Sequence, residues 1–336
     1  MYIVNNVYFC PHFINSLQTK SKCDMKRHFK VMLISMTLLF TPFMHVFGQS
    51  YDDLWNLVEE ADRKDLPKEV IERTKAIYDK AYKEHNFPQL LKSWVEITER
   101  QADLEPDSFK LGRFLPLNPK TPAEHAITNA IMGSAYDVMK GTHISDFDQE
   151  TQENYSKLSC EYYNKVLKDK EALMRENTEQ WGILVRQGED GKLYSHDLLA
   201  VLTDFVLQHA KLTNKEKADI CANVAACYQS KGRREGQTLM QLNELTYRKS
   251  AEKPADRLRN KDYKAALKQL MDATTDLQAG ADVALQYMRT LTDEEEKVEF
   301  ARWAQKTYAG SPLINEFINT ENLSFGKSVN VMAENN

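Results

Sequence analysis

The residues of this chain that could do chemistry fall into a few short groups. Ser195, His196 and Asp197 are the three residue types of a hydrolytic triad, written consecutively. Triad members normally meet from separate elements, and neighbouring residues of a helix point about 100° apart, so adjacency does not arrange them for proton transfer. We therefore interpret Ser195 as the N-cap of a helix, with Asp197 in the first turn, where the helix dipole favours negative charge.

The other candidates for acid–base or metal chemistry are sparse. Glu124 and His125 are adjacent, and His196 and His209 lie thirteen residues apart, which is about 20 Å along a continuous helix. The acidic run Asp293–Glu296 lacks the alternating ligand loop of a calcium site. No zinc-protease, phosphate-loop, dinucleotide or nucleophile-elbow motif is present. The sequence therefore predicts no catalytic residue, no cofactor and no metal, and a chain that is not an enzyme.

The composition is that of a globular protein that does not bind nucleic acid. Hydrophobic residues make up 42% of the chain and charged residues 28%, and the net charge of −5 leaves no basic stripe for a phosphate backbone. Past the first fifty residues the cysteines are Cys160, Cys221 and Cys227. An odd number without metal-ligand spacing predicts small buried apolar side chains and no disulfide framework.

The first fifty residues have the pattern of a targeting segment. Basic residues follow Met25, an apolar run ends near Pro42, and small and polar residues follow Phe47. We expect a signal peptide over 25–48, preceded by a spurious extension over 1–24. An uncleaved anchor is the alternative, but the apolar run is short for a membrane span. The mature chain is then exported, to the periplasm or the outer membrane, without a membrane span.

The elements that follow are helices with clear start signals. Ser50 with Asp53 is a capping-box pattern, Pro67 suits the first turn of a second helix, and Pro88 restarts a third. Links of two or three residues force neighbouring helices to be antiparallel. The prediction is an all-α chain of degenerate tetratricopeptide-like helical hairpins, an α-solenoid, as one domain over 49–318.

Further along the chain the sequence carries more signals for helix starts. Capping boxes are predicted at Thr121 with Glu124, at Thr213 with Glu216 and at Thr292 with Glu295. Amphipathic patterns predict helices over roughly 148–170 and 260–275.

The segment 321–331 breaks this pattern. Leu323, Phe325, Val329 and Val331 lie on one face of a strand, and a lone strand cannot bury its apolar side. We expect residues 319–336 to be a linker and the first strand of a missing β-sandwich, an orphan β-like tail on a helical chain.

The stretch QSYDDLWNLVEEADRKDLPKEVIERTKAIYDKAYKEHNFPQLLKSWV, residues 49–95, resembles the start of the mature region in bacterial alpha-2-macroglobulin-family proteins. The segments 142–158 and 193–210 are similar to later parts of that helical region, and 307–331 resembles the point where its first β-sandwich begins. Large members of the family are exported protease traps, some with a Cys-x-Glu-Gln thioester. No cysteine here precedes Glu-Gln, so the resemblance does not extend to the bait and thioester functions.

The resemblance implies a non-enzymatic, exported helical interaction module from the N-terminal part of such an inhibitor. Its partner would be another protein of the cell envelope, and Trp94 and Tyr136 are the candidate interaction surface. Two alternatives stay open: a stand-alone tetratricopeptide-like periplasmic scaffold, and, less favoured, a helical envelope enzyme with two facing carboxylates.

Overall fold

A computed structural model of the chain describes residues 7–9, 49–104, 114–142, 149–187, 192–252 and 261–322. These residues are overwhelmingly helical, which confirms the all-α prediction. The helices are α1 (Tyr51–Arg63), α2 (Pro67–Glu84), α3 (Phe87–Leu104), α4 (Pro122–Thr142), α5 (Gln149–Val166), α6 (Lys170–Arg175), α7 (Leu198–His209), α8 (Asn214–Ser230), α9 (Arg234–Ala251), α10 (Lys261–Ala273), α11 (Gly280–Met288), α12 (Glu294–Thr307) and α13 (314–322).

Extended structure within these ranges is short. Strands β1 (Val7–Phe9) and β2 (Val185–Gln187) pair antiparallel, with Tyr8 opposite Arg186. A 3-10 turn, Thr178–Trp181, precedes β2. The remainder of the predicted extension over 1–24 and the predicted signal peptide over 25–48 lie outside the described residues.

The chain divides into two compact units by its internal contacts. The first comprises residues 1–172 and 176–188, and the second comprises 173–175 and 189–336. The sequence predicted one helical domain over 49–318, without a division between the two units.

Helices α1, α2 and α3 of the first unit form consecutive hairpins, because two- and three-residue links leave no room for another arrangement. Ser50 caps α1 in a complete capping box with Asp53, as predicted, and Pro67 occupies the first turn of α2. Helix α2 ends at His85, whose φ of 56° turns the chain into α3. The apolar face between α1 and α2 is buried and consists of Leu54, Trp55, Val58, Ala61, Val70 and Ile77.

Helices α4 and α5 form the next hairpin of the first unit. Gly133 of α4 lies against the Tyr163 ring of α5, where an added Cβ would be 3.0 Å from the ring carbons. The Ser159 hydroxyl donates to the Gly133 carbonyl oxygen at 2.8 Å. A small residue is therefore needed at 133 for the two helices to approach this closely.

The second unit repeats the same construction. Helices α8 and α9 form a closely packed pair, as do α10 and α11. Thr213 caps α8 in the predicted capping box with Glu216. Helices α9–α13 share one apolar core, whose large side chains are Leu242, Tyr263, Leu267, Met271, Val283, Leu285, Met288, Tyr308 and Phe317.

The end of the described chain differs from the predicted boundary. Helix α13 continues through residue 322, so the expected division at 318–319 falls inside it. Phe317 is fully buried, and the Glu321 carboxylate accepts from Arg302 at 2.7 Å and from Gln305 at 2.9 Å. The alternating residues Leu323–Val331 of the predicted strand lie outside the described residues.

Candidate functional site

The triad-like sequence Ser195-His196-Asp197 is a helix entry, but its cap is not the predicted one. Ser195 and His196 have φ values of 55° and 53°, and Asp197 is the N-cap of α7. The Asp197 carboxylate accepts from the Ala200 backbone N–H at 2.9 Å. The prediction of Ser195 as N-cap was wrong, because the left-handed turn moves the helix start two residues onward.

Asp197 is only 2% exposed, and two further donors hold its carboxylate. The Tyr228 hydroxyl donates to it at 2.8 Å and the Arg233 guanidinium at 2.9 Å, while the same Arg233 nitrogen also donates to the Met174 carbonyl oxygen at 3.0 Å. Burial raises the pKa of Asp197 to about 6, although these hydrogen bonds oppose the rise. Asp197 thus links the start of α7 to α8 through Tyr228, and Arg233 extends the link to Met174 of α6.

Glu124 is similarly committed to a helix start. Its carboxylate accepts from the backbone N–H groups of Lys120 at 2.6 Å and Thr121 at 3.2 Å, and the Thr121 hydroxyl accepts from the Glu124 N–H. This is the predicted capping box of α4. The adjacent His125 is exposed.

The acidic run Asp293–Glu296 also has a capping role, with a one-residue shift from the prediction. Asp293 is the N-cap of α12, and its carboxylate accepts from the Glu296 N–H at 2.8 Å. The predicted cap, Thr292, lies one residue before it. Among the residues that the structure describes, no three His, Cys, Asp or Glu side chains converge as a metal site would require.

Among the described residues, Cys160, Cys221 and Cys227 form no disulfide, and their environments differ. Cys221 is buried, as predicted, and its burial raises the pKa of the thiol to about 12. Cys227 is half-buried and Cys160 is exposed, so the prediction of a buried side chain was wrong for Cys160.

The predicted interaction residues Trp94 and Tyr136 occupy one aromatic row, but Trp94 is not on the surface. Trp94 is 1% exposed, and its indole N–H donates to the Leu115 carbonyl oxygen at 2.9 Å. The Phe114 ring lies between them, 5.3 Å from the Trp94 ring and 6.0 Å from the Tyr136 ring. Trp94 therefore fixes the segment before α4, and only the half-buried Tyr136 reaches solvent.

Among the described residues, a groove on the first unit is a candidate binding site. It has a volume of about 140 Å³ and lies between the end of α2, the start of α3 and the segment leading to α4. Its base is apolar and consists of Ala81, Phe87, Leu90 and Leu117, each at most 8% exposed. Its mouth is polar and consists of Tyr82, His85, Asn118, Lys120 and Glu124.

The mouth of the groove is held in place by the turns on either side. His85 and Asn118 both have left-handed backbone conformations, with φ values of 56° and 46°. Asn118 donates to the Tyr82 hydroxyl at 2.9 Å, and the Lys120 ammonium lies 3.5 Å from the His85 Nδ1 atom. The Tyr78 hydroxyl donates to the Pro116 carbonyl oxygen, which fastens the same segment onto α2. These contacts hold the segment 116–120 against the end of α2.

Sequence reasoning missed this groove. Its residues come from two stretches, 81–90 and 117–124, and their side chains are ordinary ones for helix ends and turns. The available signal was the loop rich in proline that follows α3, together with Asn118, a residue type that tolerates positive φ. Nothing local indicates that this loop returns to the end of α2.

Comparison with models of protein families, with characterised proteins and with solved structures gives no match. Among the described residues, no helix is both long and apolar enough to cross a membrane.

Proposed function

We propose that this chain is a non-enzymatic helical interaction module that receives one apolar side chain of a protein partner in the groove of the first unit. The observation that carries the proposal is an apolar base of four buried residues beneath an open polar mouth. Binding sites characteristically combine an apolar lining with a few placed polar groups. The acidic side chain at this mouth, Glu124, is occupied by backbone donors, so the groove offers recognition and no acid–base pair.

The size of the groove favours a side chain over a free metabolite. Pockets for small molecules usually measure about 300–1,000 Å³, whereas an apolar cavity of about 150 Å³ accommodates a single benzene ring. At about 140 Å³, this groove fits the side chain of one leucine or phenylalanine. A partner polypeptide would anchor that side chain in the groove and continue along the exposed surface.

The sequence supports a setting in the cell envelope for this interaction. The expected signal peptide over 25–48 implies export, and the resemblance of 49–95 to the N-terminal region of alpha-2-macroglobulin-like inhibitors implies a protein partner. Under this proposal the module docks an envelope protein or the inhibitor's other domains. A stand-alone tetratricopeptide-like scaffold is the second candidate, favoured by the short links that join α1, α2 and α3 into consecutive hairpins.

The test is a selection of random 12-residue peptides displayed on phage against the immobilised full chain. Ala81→Met serves as the blocked variant, because the added side chain enters the groove from its base. Ala76→Met, on the same helix outside the groove lining, is the matched control. We expect the selected peptides to share one large apolar residue and to bind Ala81→Met at least tenfold more weakly than Ala76→Met.

Circular dichroism and thermal unfolding establish that both variants are folded. If Ala81→Met does not fold, Tyr82→Ser replaces it as the test variant, because this substitution removes an exposed ring that lines the mouth. Selected peptides whose affinity is unchanged in the blocked variant would place the interaction elsewhere and overturn the groove assignment. Failure to enrich any common apolar residue would overturn it as well.

A further inference from the structure

The charged side chains at the mouth of the groove indicate which charge a bound ligand should have. The Lys120 side chain is exposed, and its ammonium faces the imidazole of His85 at 3.5 Å. Within the described part of the chain, Lys120 forms no ion pair with a carboxylate. Two basic side chains thus stand together over an apolar base.

The acidic groups nearest to this mouth in sequence are already occupied. The Glu124 carboxylate accepts from two backbone N–H groups, as described above. Glu84, next to His85, accepts from the Lys80 ammonium at 2.6 Å and from the Tyr51 hydroxyl at 2.7 Å. These hydrogen bonds hold the pKa of the Glu84 carboxyl below its usual range. The acids are therefore directed to other partners, and the donors of the mouth remain for a ligand.

Tyr82 supplies a further hydrogen-bond donor at the mouth of the groove. The Tyr82 hydroxyl accepts from the Asn118 side-chain amide at 2.9 Å, which leaves its own proton to be donated outward. Tyr82 is 43% exposed, so an acceptor on a ligand can approach it. The mouth thus presents an ammonium group and a phenol hydroxyl around the entrance to an apolar groove.

We propose that the groove recognises an acidic peptide segment, in which a large apolar side chain enters the groove and a neighbouring carboxylate binds Lys120 at the mouth. This inference rests on the proposed function and names the chemistry of the partner. A nucleic acid is disfavoured as the occupant, because the base of the groove takes an apolar group and the single lysine at its mouth is no basic stripe for a phosphate backbone. The carboxylate supplies specificity and orientation, and the apolar side chain supplies most of the affinity.

The experiment uses three fluorescein-labelled nonapeptides that differ only at the centre of a Ser/Gly background: Glu-Phe-Glu, Gln-Phe-Gln and Glu-Ala-Glu. Fluorescence anisotropy with the full chain, at low salt and up to millimolar protein, gives the three dissociation constants. We expect Glu-Phe-Glu to bind about fivefold more tightly than Gln-Phe-Gln, as for one exposed ion pair, and Glu-Ala-Glu to bind weakest. Raising the salt concentration should remove the advantage of Glu-Phe-Glu and leave Gln-Phe-Gln unchanged.

The residue assignment is tested with Lys120→Met, which keeps much of the side-chain length and removes the charge. Its expected effect is to lower the affinity for Glu-Phe-Glu to that of Gln-Phe-Gln, while Lys120→Arg retains the preference. Lys75→Met, at an exposed position of α2 outside the groove lining, is the matched control and should bind all three peptides like the parent chain.

The outcomes separate this inference from the proposed function. Equal binding of Glu-Phe-Glu and Gln-Phe-Gln, with loss for Glu-Ala-Glu, would overturn the acidic preference and leave the apolar groove intact. A charge preference that survives in Lys120→Met would overturn the role of Lys120. Absence of any dependence on the phenylalanine would overturn both proposals.

Discussion

The Tyr228 hydroxyl of α8 donates a hydrogen bond of 2.8 Å to the carboxylate of Asp197, the residue that caps α7. Both side chains are buried, with 0% and 2% exposure, and they lie 31 residues apart in the chain. One carboxylate thus fixes the start of one helix and its contact with the next. The stability of the second unit should depend strongly on this pair.

Tyr228→Phe removes the donor and keeps the ring. We expect the free energy of unfolding to fall by about 1–3 kcal/mol, because a buried carboxylate loses one of its donors. Urea unfolding followed by circular dichroism measures the change. Tyr287→Phe is the control, since that ring also packs against an aromatic neighbour, Phe300. An equal effect of the two substitutions would contradict the importance assigned to the Tyr228–Asp197 hydrogen bond.

Asp204 of α7 makes stability depend on pH. Burial raises the pKa of its carboxyl to about 6 from 3.8, although the hydrogen bond from Gln208 opposes the rise. The folded state therefore binds the proton more tightly than the unfolded state. The resulting stabilisation is fully present below about pH 4 and is lost as the pH rises through about 6. Asp197 titrates in the same direction.

Asp204→Asn should consequently stabilise the chain at pH 7.5 by about 1–3 kcal/mol and have little effect at pH 4. Carboxylates such as Glu216 and Glu321, whose pKa values are lowered by hydrogen bonds, act in the opposite direction in both proteins and cancel in the comparison. Thermal unfolding of the two proteins between pH 4 and 8 measures the difference. A difference independent of pH would show that Asp204 does not carry the effect.

The start of α12 provides a test of capping. Asp293→Ala removes the side-chain acceptor of the Glu296 N–H and should cost about 1 kcal/mol. Thr292→Ala, the substitution at the cap predicted from sequence, should change stability by less than about 0.5 kcal/mol. Both positions are exposed, so burial does not confuse the comparison. The reverse order of the two effects would place the cap at Thr292.

Gly280 is required by close packing at the start of α11. A Cβ at this position would lie 2.2 Å from the Thr274 carbonyl oxygen and 3.0 Å from the Tyr308 hydroxyl. Gly280→Ala should therefore lower the free energy of unfolding by about 1–3 kcal/mol, since backbone must move. Gly310→Ala, where a Cβ meets nothing within 4 Å, is the control and should be nearly neutral. Chemical denaturation of both variants measures the two changes in the free energy of unfolding.

Helix positions were largely predictable from the sequence because their signals are local. The apolar spacing after Ser50, the proline at 67 and the pair Thr213 and Glu216 each act within one or two turns of helix. Propensity and capping of this kind require no knowledge of distant residues. The all-α class follows directly from them.

The tertiary structure decided which side chains are buried and what they contact. The residues around Trp94 in the sequence do not indicate whether its side chain faces solvent or a loop. The structure places the Leu115 carbonyl oxygen within hydrogen-bonding distance of the indole N–H, which makes Trp94 a core residue. The carboxylate of Asp197, the cap of α7, also accepts hydrogen bonds from Tyr228 and Arg233, which lie more than thirty residues away in the chain.

The groove also depends on contacts between residues that are far apart in the chain. Ala81 and Lys120 lie 39 positions apart and meet only because the segment before α4 folds back over the end of α2. Contacts between residues so far apart depend on the packing of whole elements, which short-range spacing does not encode. The sequence by itself therefore determined the helices and most of their caps, and the packing of those helices determined the candidate site.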